Sequence, residues 1–169
     1  IIYEKSPYLK KLQKNKIKFE NIKWINNLKK ISKAPSIFIA NEFFDSLPIK
    51  QFVKKGNNWH EKYVVNKNKS LEFFEKKIKT ELVEKLIKQK IPNNQKFIEY
   101  SPLANEKLSK ISKIIIKNNG GLLIIDYGYN SKKMFDTLQS VKKHKKNNLL
   151  ENIYKADITH LINFNFFKQ

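Results

Sequence analysis

The stretch Asn118-Asn119-Gly120-Gly121-Leu122-Leu123-Ile124-Ile125-Asp126-Tyr127-Gly128-Tyr129 decides the fold. Leu122 to Ile125 is an unbroken apolar run of strand length, the signature of a central strand. The Asn and Gly residues before it stop a helix whose apolar stripe is Leu108, Ile111, Ile114 and Ile115. That helix opens at Ser101-Pro102, with Ser101 as N-cap and Pro102 at the first helical position. Phe97 to Tyr100, just before it, reads as a strand. Strand, capped helix and strand again is the rhythm of a parallel α/β sheet.

The same device stands at the start of the chain. Ile1 to Glu4 reads as the end of a buried strand, and Ser6-Pro7 opens a helix with Leu9, Leu12 and Gln13 on its inner face. Asn21 to Ile25 is a short strand holding Trp24. Ser36 to Ala40 is a third, apolar at consecutive positions and so expected to be covered on both faces. The middle differs. Gln51 to Lys55, Trp59 to Val65 and Ser70 to Glu75 are strand-like runs separated by Gly56-Asn57-Asn58 and Asn66-Lys67-Asn68. These turn signals predict an antiparallel meander inserted within residues 50–100. Thr80 to Lys90 adds a helix with Leu82, Val83, Leu86 and Ile87 at helical spacing, ended by Pro92. Two further strand candidates, Thr137 to His144 and Thr159 to Phe164, fill the tail.

Bulk properties exclude several classes. The chain has 169 residues, of which 40% are hydrophobic, enough for one domain with a core. No apolar run nears the roughly 20 residues that cross a bilayer, so no membrane insertion is expected. No charged leader with a cleavage site is visible at Ile1, and the absence of an initiator Met suggests that the natural protein begins earlier. There is no Cys, which removes disulfides, thiolate nucleophiles and Cys-bound zinc. The net charge of +20 invites a nucleic-acid reading, but all 35 basic residues are Lys. Without a guanidinium there is no bidentate fork for bases or phosphates. Lys, Asn and Ile abound everywhere, as the codon bias of an AT-rich genome would produce. No specific nucleic-acid partner is expected.

Ligands in open α/β sheets bind beyond the carboxyl ends of strands, which puts weight on three places. Glu4 ends a strand before a capped helix. Its carboxylate can accept both hydroxyls of a ribose, or simply sit solvated near the positive helix end. Asn41-Glu42-Phe43-Phe44-Asp45 crowds two carboxylates and an amide at the end of an apolar strand. Such a pair can orient a nitrogen donor and hold one carboxyl at a raised pKa. Alternatively Asn41 or Asp45 caps a short helix while the two Phe residues fill core. Asp126-Tyr127-Gly128-Tyr129 can wall a pocket, with Gly128 allowing a positive φ or close backbone approach, or can be a plain turn. His60, His144 and His160 lack metal-ligand spacing, so no metal site is expected. His144, within Lys142-Lys143-His144-Lys145-Lys146, offers an anion contact or a solvated face.

With these residues placed, the sequence resembles the MidA-like family of class I S-adenosylmethionine-dependent methyltransferases, whose mitochondrial member is a complex I assembly factor. Matching segments keep their order along nearly the whole chain. They run from Tyr3-Glu4-Lys5-Ser6-Pro7 with Leu9 and Gln13, through Trp24, to Ile39-Ala40-Asn41-Glu42-Phe43-Phe44-Asp45-Ser46-Leu47-Pro48. Trp59 with Glu61, Glu99 with Ser101-Pro102, and Ile124-Ile125-Asp126-Tyr127-Gly128-Tyr129 follow. Asp136-Thr137-Leu138 with His144, then Ala156-Asp157-Ile158-Thr159, complete the match.

The resemblance implies an α/β fold, a Rossmann-like methyltransferase sheet with residues 50–100 as an inserted meander and helix. It also implies S-adenosylmethionine as cofactor and arginine N-methylation of a complex I core subunit as activity. Glu4 would hold the cofactor ribose, and Trp24 or Ile25 would lie near the adenine. Asn41, Glu42 and Asp45 would do catalysis, and Asp126, Tyr127 and His144 would meet the substrate. The family's first strand and glycine-rich cofactor loop precede the Glu-x-Ser-Pro helix. Residues 1–169 would therefore be a partial domain, inactive as it stands. The position before Asp157, where the family has Gly, carries Tyr154-Lys155-Ala156. The expected location is a bacterial cytoplasm, or the mitochondrial matrix in a eukaryote, with a homodimer left open. Two competing readings are a noncatalytic assembly protein on the same fold and a Lys-driven nucleic-acid module.

Overall fold

The structure is a computed structural model that describes residues 1–31 and 33–168. In chain order its elements are β1 (Ile2–Tyr3), α1 (Pro7–Lys16), β2 (Trp24–Ile25), β3 (Ile37–Asn41), β4 (Lys50–Lys55), β5 (Asn58–Lys67) and β6 (Ser70–Ile78). There follow α2 (Thr80–Ile87), β7 (Phe97–Tyr100), α3 (Pro102–Asn118), β8 (Gly121–Ile125) and β9 (Gly128–Tyr129). The tail holds β10 (Gln139–Lys142), β11 (Lys145–Asn147), β12 (Asp157–Thr159), β13 (Ile162–Asn163) and α4 (Phe164–Phe167). Two compact units result. One comprises Ile1–Phe38 with Leu108–Leu123, the other Ile39–Lys107 with the chain from Ile124 onward.

In the first unit β1 and β2 pair in parallel, Ile2 opposite Trp24 and Tyr3 opposite Ile25. The caps are as the sequence predicts. Ser6 accepts the Leu9 amide at 3.2 Å and Pro7 starts α1. Ser101 repeats the arrangement in the second unit, accepting the Ala104 amide at 3.1 Å and donating to the Pro48 carbonyl at 2.8 Å. α1 departs from expectation in having no buried residue: Leu9 and Leu12 are 45% and 37% exposed. α3 ends where its stop signal lies. Asn119 turns left-handed at φ 56°, and a side chain at Gly120 would stand 2.1 Å from the Ser36 carbonyl oxygen.

The second unit is built on the meander. β6-β5-β4-β7 is a four-stranded antiparallel sheet. β7 had been expected to return to the main sheet; instead it pairs antiparallel with β4, Phe52 opposite Ile98. The alternation explains this: Ile98 and Tyr100 point inward and complete a core with Phe52, Trp59, Val83 and Ile87. α2 stops at Ile87 because Lys88 turns left-handed at φ 59° and its amide caps back onto the Glu84 carbonyl. The end therefore comes well before Pro92.

β3 and β8 form a two-stranded sheet. Gly121 N–H reaches Ser36 O at their starts and Glu42 N–H reaches Ile125 O at their ends, so the strands run in the same direction. The expected cover on both faces is not found among the described residues. Ile37 and Ile39 are 82% and 69% exposed, with Leu123 and Ile125 about half exposed. Two strands alone cannot cover an apolar run of this kind. The tail strands also differ from the expected spans. β10 pairs antiparallel with both β11 and β12, while β13 pairs in parallel with β9. No helix among the described residues is long and apolar enough to cross a membrane.

Candidate functional site

At the end of β3 the chain turns sharply, with Glu42 forced to φ 43°, a conformation costly for any residue with a side chain. What holds the turn is Asp126, at the end of β8. Its Oδ2 accepts the amides of Phe43, Phe44 and Asp45 at 3.1, 2.9 and 3.3 Å, and its Oδ1 accepts the Tyr127 amide at 2.9 Å. Several consecutive N–H groups converge on this one carboxylate, and the turn is fixed by them. Phe44 packs fully buried beneath it, edge-on to Phe43 and Phe167.

Asp45 is the chemically unusual member. It is buried at 6% exposure, and its Oδ1 has no hydrogen-bond partner among the described residues. Burial, reinforced by the Asp126 and Glu42 carboxylates, pushes the Asp45 carboxyl above the ordinary carboxylate range. His160 and the Ser46 backbone partly offset that rise. Asn41 and Glu42 are exposed at the mouth of the turn, and Tyr127 is 62% exposed beside it. The structure thus brings together Asn41, Glu42, Asp45, Asp126 and Tyr127. His144 is not among them. It sits in the β10–β11 hairpin turn, where Lys143 and His144 have φ 50° and 60°.

The first unit gathers the other three residues. Glu4 Oε1 accepts the Ser6 amide at 2.8 Å, and Oε2 accepts Gln13 Nε2 at 3.1 Å. Gln13 Oε1 in turn accepts the Trp24 indole N–H at 3.0 Å, and Lys14 Nζ lies 5.7 Å over the indole ring. Trp24 is half-buried, whereas Ile25 is buried at 2% exposure and offers no free face. Each Glu4 oxygen has one donor among the described residues, and a carboxylate oxygen can accept two. The remaining lone pairs can accept the two hydroxyls of a vicinal diol.

Two further groups escaped the sequence reading. Glu99 accepts Gln51 Nε2 at 2.7 Å and the Thr137 amide at 3.0 Å, and also binds the Thr137 hydroxyl; Gln51 also reaches Asp136. Tyr129 lies beside it, its phenol pushed up to about 12 by burial with the Glu99 charge adding to the effect. His160 is buried at 7% exposure, and its backbone amide donates to the Asp45 carbonyl at 3.0 Å. No local pattern marks His160, because its partner lies near the other end of the sequence. No cluster suited to a metal ion occurs among the described residues.

Helices and strands alternate along the chain, and each unit carries a carboxylate just beyond a strand, Glu4 after β1 and Asp45 after β3. The profile of an S-adenosyl-L-methionine-dependent methyltransferase family matches residues 1–169. The chain belongs to that family. It is 32% identical over 159 residues to the Caenorhabditis elegans "Protein arginine methyltransferase NDUFAF7 homolog, mitochondrial", covering 92% of this chain and 37% of that protein. The Danio rerio "Protein arginine methyltransferase NDUFAF7, mitochondrial" is 29% identical over 150 residues, 88% of this chain and 35% of its own length. A Burkholderia thailandensis structure bound to S-adenosyl-homocysteine shares the fold at TM-score 0.67 and 16% identity, over 86% of this chain and 38% of that one. The chain therefore spans little more than a third of these relatives.

Proposed function

We propose that this chain contributes the ribose-side and acceptor-side residues of a protein arginine methyltransferase. The observation that carries the reading is the buried Asp45 carboxylate, next to Glu42, on a turn held by Asp126. S-adenosylmethionine supplies a methyl group made electrophilic by its sulfonium. The chain's residues supply position. Glu4 accepts the ribose hydroxyls, and Gln13 fixes Glu4 and Trp24 in one hydrogen-bonded line. Glu42 and Asp45 accept guanidinium N–H groups, aligning the acceptor nitrogen, and Asn41 supplies a neutral donor and acceptor at the mouth. Asp126 acts through the turn, since its oxygens are engaged with backbone amides.

On the resemblance, the chain is part of a Rossmann-like methyltransferase domain with residues 50–100 as its insertion. The exposure of Ile37, Ile39, Leu123 and Ile125 supports further sheet cover in the whole protein. The resemblance suggests a complex I core subunit as substrate, in the mitochondrial matrix or its bacterial counterpart.

Calorimetry on the full-length protein tests the reading. S-adenosylmethionine should bind, and Glu4→Ala should weaken it roughly tenfold or more, as loss of hydrogen bonds to a charged group implies. Tritiated methyl transfer to a synthetic peptide with a single arginine should yield methylarginine, and Asp45→Asn should abolish it. Absence of cofactor binding overturns the proposal.

A further inference from the structure

Among the described residues, four buried polar atoms of the second unit have no hydrogen-bond partner: Asp45 Oδ1, His60 Nδ1, Glu75 Oε2 and His160 Nε2. Glu75 Oε2 pairs with Lys55 at 2.6 Å. Asp45 and His160 are the ones more than nine-tenths buried, and their backbones are joined by the His160 N–H to Asp45 carbonyl bond of 3.0 Å. Buried polar atoms are rarely left bare, and a catalytic role or a bound water or ion is among the reasons when they are. His160 Nδ1 lies 3.3 Å from the Leu161 carbonyl, which can only accept, so this contact is a hydrogen bond in the Nδ1–H tautomer. In that tautomer Nε2 is an acceptor without a hydrogen-bond partner among the described residues.

The groups around the ring come from several elements. Asp45, with Glu42 and Asp126 behind it, faces from the β3 turn. On another side His160 lines a cavity of about 30 Å³ together with Glu99, Tyr129, Asn105 and Asn163. That is room for a water or two among polar groups able to hold them.

We propose that His160 is a positioning and proton-accepting residue behind Asp45, taking up through a bridging water the proton that methylation of the acceptor nitrogen releases. The inference rests on the methyltransferase reading above. The acceptor nitrogen's lone pair forms the bond to the methyl carbon, the carbon–sulfur bond breaks, and its electron pair stays on sulfur as a neutral thioether. One N–H proton leaves the nitrogen for Asp45, and a bridging water would carry it on to His160 Nε2, since no direct hydrogen bond joins the two side chains.

The test uses the full-length protein. ¹⁵N spectra of the three histidines should show His160 as the Nδ1–H tautomer; the opposite tautomer overturns the proposal. His160→Gln should keep S-adenosylmethionine affinity within about twofold and lose methyl transfer to the single-arginine peptide by roughly a hundredfold, the scale of a lost general base. In His160→Ala, added imidazole should raise the melting temperature of the variant alone and restore a measurable part of the transfer. Rescue of a merely structural histidine would not follow the basicity of the added ligand, so the transfer restored by imidazoles of different pKa should vary with that pKa. Wild-type transfer rates in either variant, or failure of imidazole to restore any, overturn the role of His160 alone. A wild-type protein that neither binds the cofactor nor transfers methyl overturns the methyltransferase reading and this proposal together.

Discussion

Asp126 Oδ2 lies 2.9 Å from the Phe44 amide, a hydrogen bond between residues 82 positions apart that fixes the turn bearing both candidate carboxylates. With the Phe43 and Asp45 amides on the same oxygen, one carboxylate sets the geometry of the whole Glu42–Asp45 segment. The left-handed Glu42 persists because this ring of donors over-determines it.

Asp126→Asn should therefore destabilise the protein and loosen the turn. An amide carries no charge and presents one oxygen in place of two, so the cost should be roughly 1.5–3 kcal/mol. Urea unfolding measures the first effect, and limited proteolysis within residues 42–46 the second. A midpoint unchanged from wild type would mean that the turn holds itself.

What could be read from the sequence divides along the range of the interactions. Ser6-Pro7 and Ser101-Pro102 were legible because a helix cap is completed within three residues. The meander was legible from its turn residues. The partner of β7 was not, because Phe97–Tyr100 has the same composition whether it joins β4 or another sheet. Asp126 was found as a strand-end carboxylate, yet its use on distant backbone amides leaves no mark on the residues around it. His160 likewise carries no local signal, only a partner at the end of β3.

The Asp45 carboxyl makes stability depend on pH in a defined direction. Its folded-state pKa is raised, chiefly by burial and then by Asp126 and Glu42, so the folded protein holds that proton more tightly than the unfolded chain. This contribution is fully present below the ordinary carboxylate range and is lost as pH rises through the folded-state value. Asp45→Asn removes the loss. The melting temperature of the variant relative to wild type should be higher at about pH 7 than at about pH 4. Equal differences at the two pH values would show that the site does not hold a strained charge.

Gly128 was open to two explanations, and the packing selects one. An added Cβ there would meet the Ile162 carbonyl oxygen at 2.4 Å and the Phe164 ring at 2.6 Å. The glycine is needed for close approach of β9 to β13. Gly128→Ala should cost about 1–3 kcal/mol as β13 is pushed away. Because β13 follows His160 directly, cross-linking or fluorescence reporters on residues 160–163 should register the displacement. Full wild-type stability in this variant would contradict the packing described.

Gln13 joins Glu4 to Trp24 through both ends of one amide. Gln13→Ala leaves the Glu4 charge in place but frees its side chain and the indole. If Glu4 positions a ribose, cofactor affinity of the full-length protein should fall by roughly tenfold, the value of one hydrogen bond to a charged group. Trp24 emission should also shift toward that of exposed indole, while Trp59, buried in the core, stays constant. Unchanged affinity with a shifted emission would place the cofactor away from Glu4.

The β10–β11 hairpin turns on Lys143-His144, both left-handed, a conformation that glycine and asparagine adopt at far lower cost. Nothing in Lys142-Lys143-His144-Lys145-Lys146 announces such a turn, which is why a single strand was expected through His144. Replacing the pair by Lys143→Asn with His144→Gly should stabilise the protein by about 1 kcal/mol, readable as a higher urea midpoint. The same double variant decides the role of His144. Retained substrate affinity alongside the gain in stability assigns the histidine to the hairpin alone. A loss of substrate affinity despite the gain would restore it to the acceptor side, with its ring presented from a turn that natural selection left strained.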